Sequence, residues 1–494
     1  MAPISVFLNY TREPGFIKLL EFFLRQPTVS KVFVSSAESL LALPKGCEMI
    51  NTDSIDSGFS VMKVFEQLET PYLLLVRETL PIDMGTYALE RLLEVAQVTQ
   101  AGLIYSDYMV KTKGHTLSFY LCDYQLGSIR DNFNFGYLLL FSHVALREAI
   151  EKFGDVKTNL RNGWYDLRLK LSLVRPFFHL NEPLYTVEVK EEDRGEEDHF
   201  SYIREENYPA QKELEETATT HLKRLGAFLP PPVKIPLTEE DLFPVEASVI
   251  IPVKNRVKTV REAIESALSQ KTDFSFNILV IDNHSTDGTT ELLRELSARY
   301  VPVHHLIPER HDLNIGGCWN MAIHSSLCGR YAVQLDSDDL YSSPHSLQKL
   351  IGLLKTGRYA MVIGSYTVVN DKLEEIPPGL VAHHEWSDEN GHNNALRLEG
   401  FGAPRAYHTG LIRRIGFLNV SYGEDYAMVL RLSREYPIGR IYESLYLCRR
   451  WKGNSDYGLS SEKKCHYDTF KDRVRTLEIM ARREINGKEN ILSL

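Results

Sequence analysis

Apolar runs alternate with amphipathic segments through the second half of the chain. The segment ASVIIPVKNR has the pattern of a β-branched strand that ends near Pro252, and NILVID has that of a second strand, which ends at Asp282. Between them, apolar residues recur at helical spacing, and Thr259 with Glu262 three residues later matches a capping box. Strands that alternate with helices predict βαβ units, right-handed crossovers and a mostly parallel sheet.

One apolar run, YAVQLD, ends abruptly in acidic residues. Asp336, Asp338 and Asp339 stand together there, with only Ser337 among them. A short apolar run bounded by polar residues is typical of a buried parallel strand, and ligands of open α/β sheets bind beyond the carboxyl ends of such strands. Clustered carboxylates repel one another unless a cation joins them, and hard oxygen ligands suit Mg²⁺ or Mn²⁺. The run predicts a divalent-metal site, with a solvated acidic loop as the alternative.

The first half repeats this pattern in a weaker form. ISVFLNYTRE parallels ASVIIPVKNR, KVFVSS parallels NILVID, and PYLLLVRETL parallels RYAVQLDSDDL. Arg77 precedes Asp336 by 259 residues, and Asp166 precedes Asp425 by the same interval. An internal duplication is therefore predicted. Because RET at residues 77–79 stands where the second half has DSD, the first half is predicted to lack a metal site and to serve structure, acceptor binding or assembly.

A proline-rich stretch, LPPPVKIPLTEEDLFPVEA, indicates the boundary between the halves. We predict a degenerate, non-catalytic domain over residues 1–235, a linker over 236–246, and a catalytic domain with a C-terminal helical extension over 247–494. The predicted fold class is α/β, with two tandem domains that each hold a mostly parallel sheet flanked by helices.

Composition excludes several functional classes. The 494 residues are enough for roughly two to four domains, and the net charge of −10 argues against a nucleic-acid-binding surface. Six scattered cysteines without a C-x-x-C pair indicate neither a zinc site nor a disulfide framework, which favours a reducing cytoplasm. The first residues do not resemble a signal peptide, and no run approaches the roughly 18 apolar residues of a membrane span. We expect a cytoplasmic protein that would reach a membrane-associated acceptor peripherally, from the inner face.

The ordered motifs IPVKNR, VIDNHSTDGT, NIGGCWN, LDSDD and GED resemble those of family 2 glycosyltransferases with the GT-A fold, over roughly residues 245–460. The resemblance implies an inverting transfer of a sugar from a nucleoside diphosphate sugar, with UDP favoured and Mn²⁺ or Mg²⁺ as cofactor. The acceptor is expected to be a hydroxyl of a glycan or a lipid-linked glycan. DNHSTDG departs from the commoner DDGSTDG, and Trp319 stands where many members carry Arg. These departures bear on which nucleotide and which sugar are used, and not on the class of enzyme.

The resemblance also implies roles for individual residues. Asp338 is expected to be a direct metal ligand, with Asp336 on the metal or the ribose. Asp425 is expected to be the general base, with Glu424 as its assistant at a helix N-terminus. The residues expected to bind the nucleotide sugar are Pro252, Val253, Lys254, Asn255, Asp282, Gly316, Gly317, Asn320, Asp336, Ser337, Arg449 and Arg450.

Most of these residues have a plain structural alternative. Asp282 and Asp425 could cap a turn and a helix, the pair Gly316 and Gly317 could be a helix start, and the cations at 449–450 could belong to a solvated loop. Leu447 replaces the Gln of the Q-x-x-R-W signature, so processive synthesis is not expected.

Two other functions compete with the transferase. A sugar-phosphate nucleotidylyltransferase would need a Gly-rich phosphate loop after the first strand, which IPVKNR does not supply. A non-catalytic carbohydrate-binding tandem would carry broken acids in both halves, but only the first half does. The sequence leaves the sugar, the acceptor and the oligomeric state open.

Overall fold

The computed structural model describes residues 2–12, 14–38, 43–77, 80–112, 114–189, 208–236, 242–454 and 457–492. Two residues of the predicted degenerate motif, Glu78 and Thr79, lie outside these ranges, as do residues 237–241 of the predicted linker. The chain divides into two compact units. One is drawn from Met1–Asp198, Pro209–Gly226 and Leu459–Ile479, and the other from His199–Tyr208, Ala227–Gly458 and Met480–Leu494. Within the described ranges, no helix is both long enough and apolar enough to cross a membrane.

The first half of the chain builds a seven-stranded sheet and a smaller four-stranded one. Its elements are β1 (Ile4–Asn9), α1 (Pro14–Arg25), β2 (Val29–Ser36), β3 (Cys47–Asn51), α2 (Gly58–Glu66), β4 (Tyr72–Val76), β5 (Ile82–Met84), α3 (Ala88–Thr99), β6 (Leu103–Ser106), β7 (Tyr108–Thr112), β8 (His115–Phe119), β9 (Leu138–Ser142), α4 (His143–Phe153), α5 (Gly163–Leu171), β10 (Phe177–Leu180), β11 (Tyr185–Glu188) and α6 (Tyr208–Leu225). The large sheet has the order β3-β2-β1-β4-β9-β6-β10, and the small one β5-β11-β7-β8.

The second half builds one nine-stranded sheet. Its elements are β12 (Ala247–Val253), α7 (Val260–Leu268), β13 (Phe276–Asp282), α8 (Thr289–Arg299), β14 (Val303–Leu306), α9 (Ile315–His324), β15 (Tyr331–Gln334), β16 (Leu340–Tyr341), α10 (Ser346–Leu354), β17 (Met361–Val369), β18 (Glu375–Val381), α11 (Gly391–Asn394), β19 (Arg405–His408), α12 (Thr409–Ile415), α13 (Glu424–Ser433), β20 (Ile438–Arg449) and α14 (Ser461–Leu492). The order is β14-β13-β12-β15-β19-β17-β20-β16, with β18 paired to β17.

The two large sheets share one topology. In each, four parallel strands are followed by one antiparallel strand (β9 or β19), and the last two strands of the shared order run parallel to each other. The predicted fold class, two tandem α/β domains with mostly parallel sheets, is confirmed. The predicted likeness of the two halves holds strand for strand over seven strands.

The carboxyl ends of three central strands meet at one edge of the second sheet. Val253 of β12 is in register with Asp282 of β13, and Ile250 of β12 with Gln334 of β15. The strand interiors are fully buried, as their continuous apolar runs require, so polar side chains emerge only where the strands stop. This edge is where the motif residues collect.

The predicted capping box before α7 is wrong. The helix begins at Val260 as expected, but Thr259 has φ −118° and ψ −32° and makes no capping hydrogen bond with its side chain. This αR conformation differs from the extended one that an N-cap residue usually adopts. Glu262 forms an ion pair with Arg449 instead of turning back to the helix start.

Candidate active site

A cavity of about 370 Å³ opens at the edge where β12, β13 and β15 end. Its volume lies within the range of small-molecule sites. The predicted site residues that line it are Pro252, Val253, Lys254, Asp336, Ser337, Asp338, Glu424, Asp425 and Arg450. Residues distant in the sequence therefore meet in one place, because the strand ends and the first turn of α13 face the same space.

The three acids after β15 have different partners. The Asp336 carboxylate accepts two contacts of 3.0 and 3.1 Å from Nε2 of Gln334. Asp339 turns inward, and its Oδ1 accepts the Arg449 backbone N–H at 2.7 Å. All three acids line the cavity, and Asp339 is the one whose carboxylate accepts a backbone N–H of β20.

Asp338 is contacted by donors from the loop after β20. Its Oδ2 accepts Trp451 Nε1 at 3.1 Å and Asn454 Nδ2 at 3.3 Å. Arg256 Nε lies 3.7 Å from the same oxygen. The Asp338 carboxylate is held in place by these groups.

The donor set fits a divalent cation bound together with a diphosphate. Burial raises the pKa of Asp336 above its ordinary value and that of Asp339 well above it, and the negative charge of Asp338 adds to both shifts. A cation would offset this cost. Among the described residues, no group of three or more His, Cys, Asp or Glu side chains is placed to hold a metal ion. Mg²⁺ is commonly held by one or two carboxylates, with substrate phosphates and water completing its shell, and Asp336 and Asp338 match that arrangement.

Glu424 and Asp425 begin α13, as predicted, after Gly423 with φ +85°. Asp425 Oδ2 lies 2.6 Å from Arg405 Nη2, and Oδ1 accepts the Tyr426 backbone N–H at 2.7 Å. Glu424 is 9% exposed, and its Oε2 has no hydrogen-bond partner. Burial, with the neighbouring Asp425 charge, raises the pKa of Glu424 to about 8. Asp425, a carboxylate paired with Arg405, therefore lies next to Glu424, an acid that keeps its proton at neutral pH.

Asp282, a predicted nucleotide contact, has its carboxylate occupied within the protein. It is fully buried and accepts Thr290 Oγ1 at 2.6 Å, the Ser285 backbone N–H at 3.0 Å and His305 Nε2 at 3.2 Å. Burial opposes its ionisation, but these hydrogen bonds prevail and lower the pKa of Asp282 well below its usual range. Asp282 does not line the cavity; its neighbour Asn283 does.

Asn283 presents an acceptor atom that the sequence analysis did not identify. Its Nδ2 donates to the Leu313 carbonyl at 2.7 Å, which fixes the orientation of the amide. The other amide atom, Oδ1, is buried without a hydrogen-bond partner. Because the residue lines the cavity, this unpartnered acceptor is placed where a ligand N–H group could satisfy it.

The glycine pair at the start of α9 packs against the protein itself. A Cβ on Gly316 would lie 1.8 Å from the Leu418 carbonyl oxygen, and one on Gly317 would lie 2.4 Å from Asn419 Oδ1. Asn320 exchanges two hydrogen bonds of 2.8 Å with the Phe417 backbone. These three residues, which were expected to bind the nucleotide sugar, therefore pack α9 against the segment before α13. None of them lines the cavity.

Two further predicted ligands also stand outside the cavity. The Asn255 backbone N–H donates to Ser285 Oγ at 2.9 Å, and its Oδ1 accepts the Thr286 N–H at 2.8 Å. The Arg449 guanidinium pairs with Glu262. Asn255 and Arg449 thus connect separate segments of the fold. Their contact with the nucleotide-sugar donor stays a prediction.

Arg405 and Tyr407 line the cavity without any signal in the motifs. They lie on β19, which enters the sheet next to β15 as an antiparallel strand. Local patterns predict that a strand exists but not which strand pairs with it, so these residues were missed. For Asn283 a signal did exist, since it directly follows Asp282 at a strand end.

Comparison with known proteins places the motifs in one family. Residues 248–418 match the family described as "Glycosyl transferase family 2". The chain is 31% identical over 146 residues to the putative glycosyltransferase EpsE of Bacillus subtilis (strain 168), which covers 28% of this chain and 51% of that protein. It is 27% identical over 229 residues to an uncharacterized glycosyltransferase of Rickettsia felis, covering 45% and 36%. The chain thus spans about half or less of the length of these relatives.

Among solved structures, S. aureus TarS 1–349 in complex with UDP-GlcNAc matches with 18% identity and a TM-score of 0.37, covering 48% of this chain and 72% of that one. The family match falls within the unit that holds the cavity, and it includes Asn283, Asp336, Asp338 and Arg405. Over residues 248–418, this chain is similar to the members of glycosyl transferase family 2.

Proposed function

We propose that the second unit is an inverting, metal-dependent glycosyltransferase. It moves one sugar at a time from a nucleoside diphosphate sugar, most simply a UDP-sugar, to a hydroxyl of a glycan or lipid-linked glycan. One observation carries the proposal. Two acid pairs, Asp336 with Asp338 and Glu424 with Asp425, line a single cavity from different elements. The first pair suits a metal-bound diphosphate, and the second suits an acceptor hydroxyl.

On the donor side, Asp336 and Asp338 would hold Mn²⁺ or Mg²⁺. When bound, the cation supplies Lewis-acid neutralisation of the departing diphosphate. Lys254, Arg256 and Arg450 line the same cavity and add positive charge for phosphate oxygens.

The nucleobase is proposed to contact Asn283. A uracil ring offers an N–H group that matches the orphan Oδ1 of this amide. Pro252 and Val253, at the end of β12, line the same space and would flank the base or ribose. This assignment moves the proposed base contact from Asp282 to the next residue, and a uridine nucleotide fits it.

On the acceptor side, Asp425 is the proposed general base. Its carboxylate takes the proton of the acceptor hydroxyl while the hydroxyl oxygen attacks the anomeric carbon. The bond from that carbon to the diphosphate oxygen breaks in the same displacement, and its electron pair leaves with the nucleoside diphosphate. No protein nucleophile is needed, so the anomeric configuration inverts. Glu424 helps to hold the acceptor.

The class of acceptor determines where in the cell the protein acts. We propose that the protein works in the cytoplasm and meets a lipid-linked acceptor peripherally, at the inner face of the membrane. The sequence expectations carry this part of the proposal: the cysteines form no disulfide pattern, and no span is predicted.

Release of nucleoside diphosphate tests the proposal without knowledge of the acceptor, because water can replace it. The protein is incubated with UDP-, GDP- and dTDP-sugars and Mn²⁺. We expect release from at least one UDP-sugar, with Asp338→Asn lowering the rate by roughly 100-fold or more. Asp312→Asn changes an exposed acid paired with Arg310 and serves as the matched control. Release from none of the sugars, or equal rates in Asp338→Asn and wild type, would contradict the proposal.

A further inference from the structure

Arg405 is a buried cation beside the proposed base. Its side chain is 14% exposed, and Nη2 lies 2.6 Å from Asp425 Oδ2. Its Nε is buried without a hydrogen-bond partner. Other ionisable groups that act on the guanidinium include Tyr407 of the same strand, Asp336 beyond β15 and Glu424 of α13, and the cation Arg440 of β20 opposes it. Arg405 therefore faces both acid pairs of the cavity.

The guanidinium is carried by a rigid part of the sheet. Arg405 opens β19, the strand between β15 and β17, and is in register with Ile363 of β17. The carbonyl of the preceding residue, Pro404, accepts the Gly364 N–H at 2.9 Å. A side chain anchored on a central strand is held more firmly than one on a loop, which is what a site needs to fix a reacting group.

Both oxygens of Asp425 are engaged by donors of the protein. Tyr426 N–H binds Oδ1 and Arg405 binds Oδ2, so the plane of the carboxylate is fixed from two sides. A carboxylate oxygen can accept more than one hydrogen bond, so an acceptor hydroxyl can share an oxygen of Asp425 with a donor of the protein. The backbone contact is local to the helix, whereas the contact with Arg405 ties the helix end to the sheet.

We propose that Arg405 is a positioning residue for sugar transfer, which holds the Asp425 carboxylate in the orientation that receives the acceptor proton. This inference rests on the proposed function. The competing role is that of a counter-ion that only neutralises buried acids. A counter-ion would act on folding and on donor binding, whereas a positioning residue acts on turnover through Asp425.

The test compares the full-length wild type, Arg405→Lys, Arg405→Gln, Asp425→Asn and the Arg405→Gln/Asp425→Asn double variant. Hydrolysis of the active UDP-sugar with Mn²⁺ gives kcat and donor KM for each. We expect Arg405→Gln to lower kcat by roughly tenfold or more while donor KM stays within about threefold. Arg405→Lys should lie between Arg405→Gln and wild type. The double variant should be no slower than Asp425→Asn, because a residue that acts through Asp425 has nothing left to position.

Several results would overturn the inference. One is a wild-type kcat in Arg405→Gln, and another is a rise in its donor KM of about tenfold or more. A third is a double variant slower than Asp425→Asn by the full Arg405→Gln factor. If Arg405→Gln does not fold, Arg405→Lys decides, since wild-type kcat in that variant contradicts positioning. Failure of wild type to hydrolyse any sugar nucleotide contradicts the proposed function itself, and an active Asp425→Asn contradicts the general base. An active wild type with an impaired Asp425→Asn and a wild-type kcat in Arg405→Gln contradicts only the role of Arg405.

Discussion

Glu424 and Asp425 are neighbours in the first turn of α13, yet their surroundings set them to different charges. Asp425 has a guanidinium against one oxygen, whereas no donor reaches Oε2 of the buried Glu424. Burial and the neighbouring carboxylate stabilise a carboxyl group in its neutral form. Environments that separate the pKa values of two adjacent acids are a common basis for acid–base chemistry.

The raised pKa of Glu424 predicts a pH-dependent stability. The folded protein keeps a proton that the unfolded chain loses near pH 4.5, so this group's contribution to the free energy of unfolding falls as pH rises from 4.5 to about 8. Glu424→Gln cannot ionise and removes that loss. Calorimetry in metal-free buffer should therefore show the Tm of the variant gaining on wild type between pH 5 and about 8. The exposed Glu443→Gln is the control, and a constant Tm difference for Glu424→Gln would contradict the assignment.

At the scale of elements, α9 shows how a motif can predict an element and miss its partner. NIGGCWN predicts a helix after the glycine pair, and α9 is present but begins at Ile315, so both glycines lie in its first turn. The existence of the helix was predictable because helix signals are local. Its two glycines were expected to bind the nucleotide sugar, but they allow the helix to approach the Leu418 backbone and the Asn419 side chain, about a hundred residues away. The same limit hid Arg405, whose partner strand is set by tertiary pairing. The strand ends and α13 were predictable because each is marked where it stands in the sequence.

This packing role predicts a large loss of stability in Gly316→Ala. The added Cβ would lie 1.8 Å from the Leu418 carbonyl oxygen, so the helix or the segment must move. We expect a loss of about 3 kcal/mol in the free energy of unfolding, measured by chemical denaturation. Gly352→Ala in α10 is the matched control, since a Cβ there meets nothing within 4 Å. The control should be neutral or gain up to about 1 kcal/mol. Equal effects in the two variants would contradict the packing role.

At the scale of the whole molecule, two sheets of one topology carry different chemistry. In the first unit, Arg77 follows β4 where the acid cluster follows β15, and Asp166 in the first turn of α5 pairs with Lys170 at 2.7 Å. A cleft there is lined mainly by aromatic and aliphatic side chains, with Arg77 and Arg168 among the polar ones. The fold was predictable in both halves because apolar patterning survives changes of polar residues. That only the second unit carries the chemistry remains our proposal.

That division predicts unequal effects at equivalent positions. Arg77→Gln changes the residue that stands where Asp336 stands in the second half, and it should leave UDP-sugar hydrolysis within about twofold of wild type. Asp336→Asn should lower the rate by roughly tenfold or more, because it removes a proposed metal ligand. The rates are compared at saturating donor and Mn²⁺. A loss in Arg77→Gln that matches the loss in Asp336→Asn would show that the first half takes part in the chemistry.

The central claim is that a divalent cation and a nucleoside diphosphate bind together at Asp336 and Asp338. Isothermal titration of UDP into the full-length protein, with Mn²⁺ and with EDTA, measures this directly in wild type and Asp338→Asn. We predict binding to wild type with Mn²⁺, and an affinity weaker by about tenfold or more when the metal or the carboxylate is removed. Equal affinities under all four conditions, or no binding of UDP to wild type with Mn²⁺, would contradict the account.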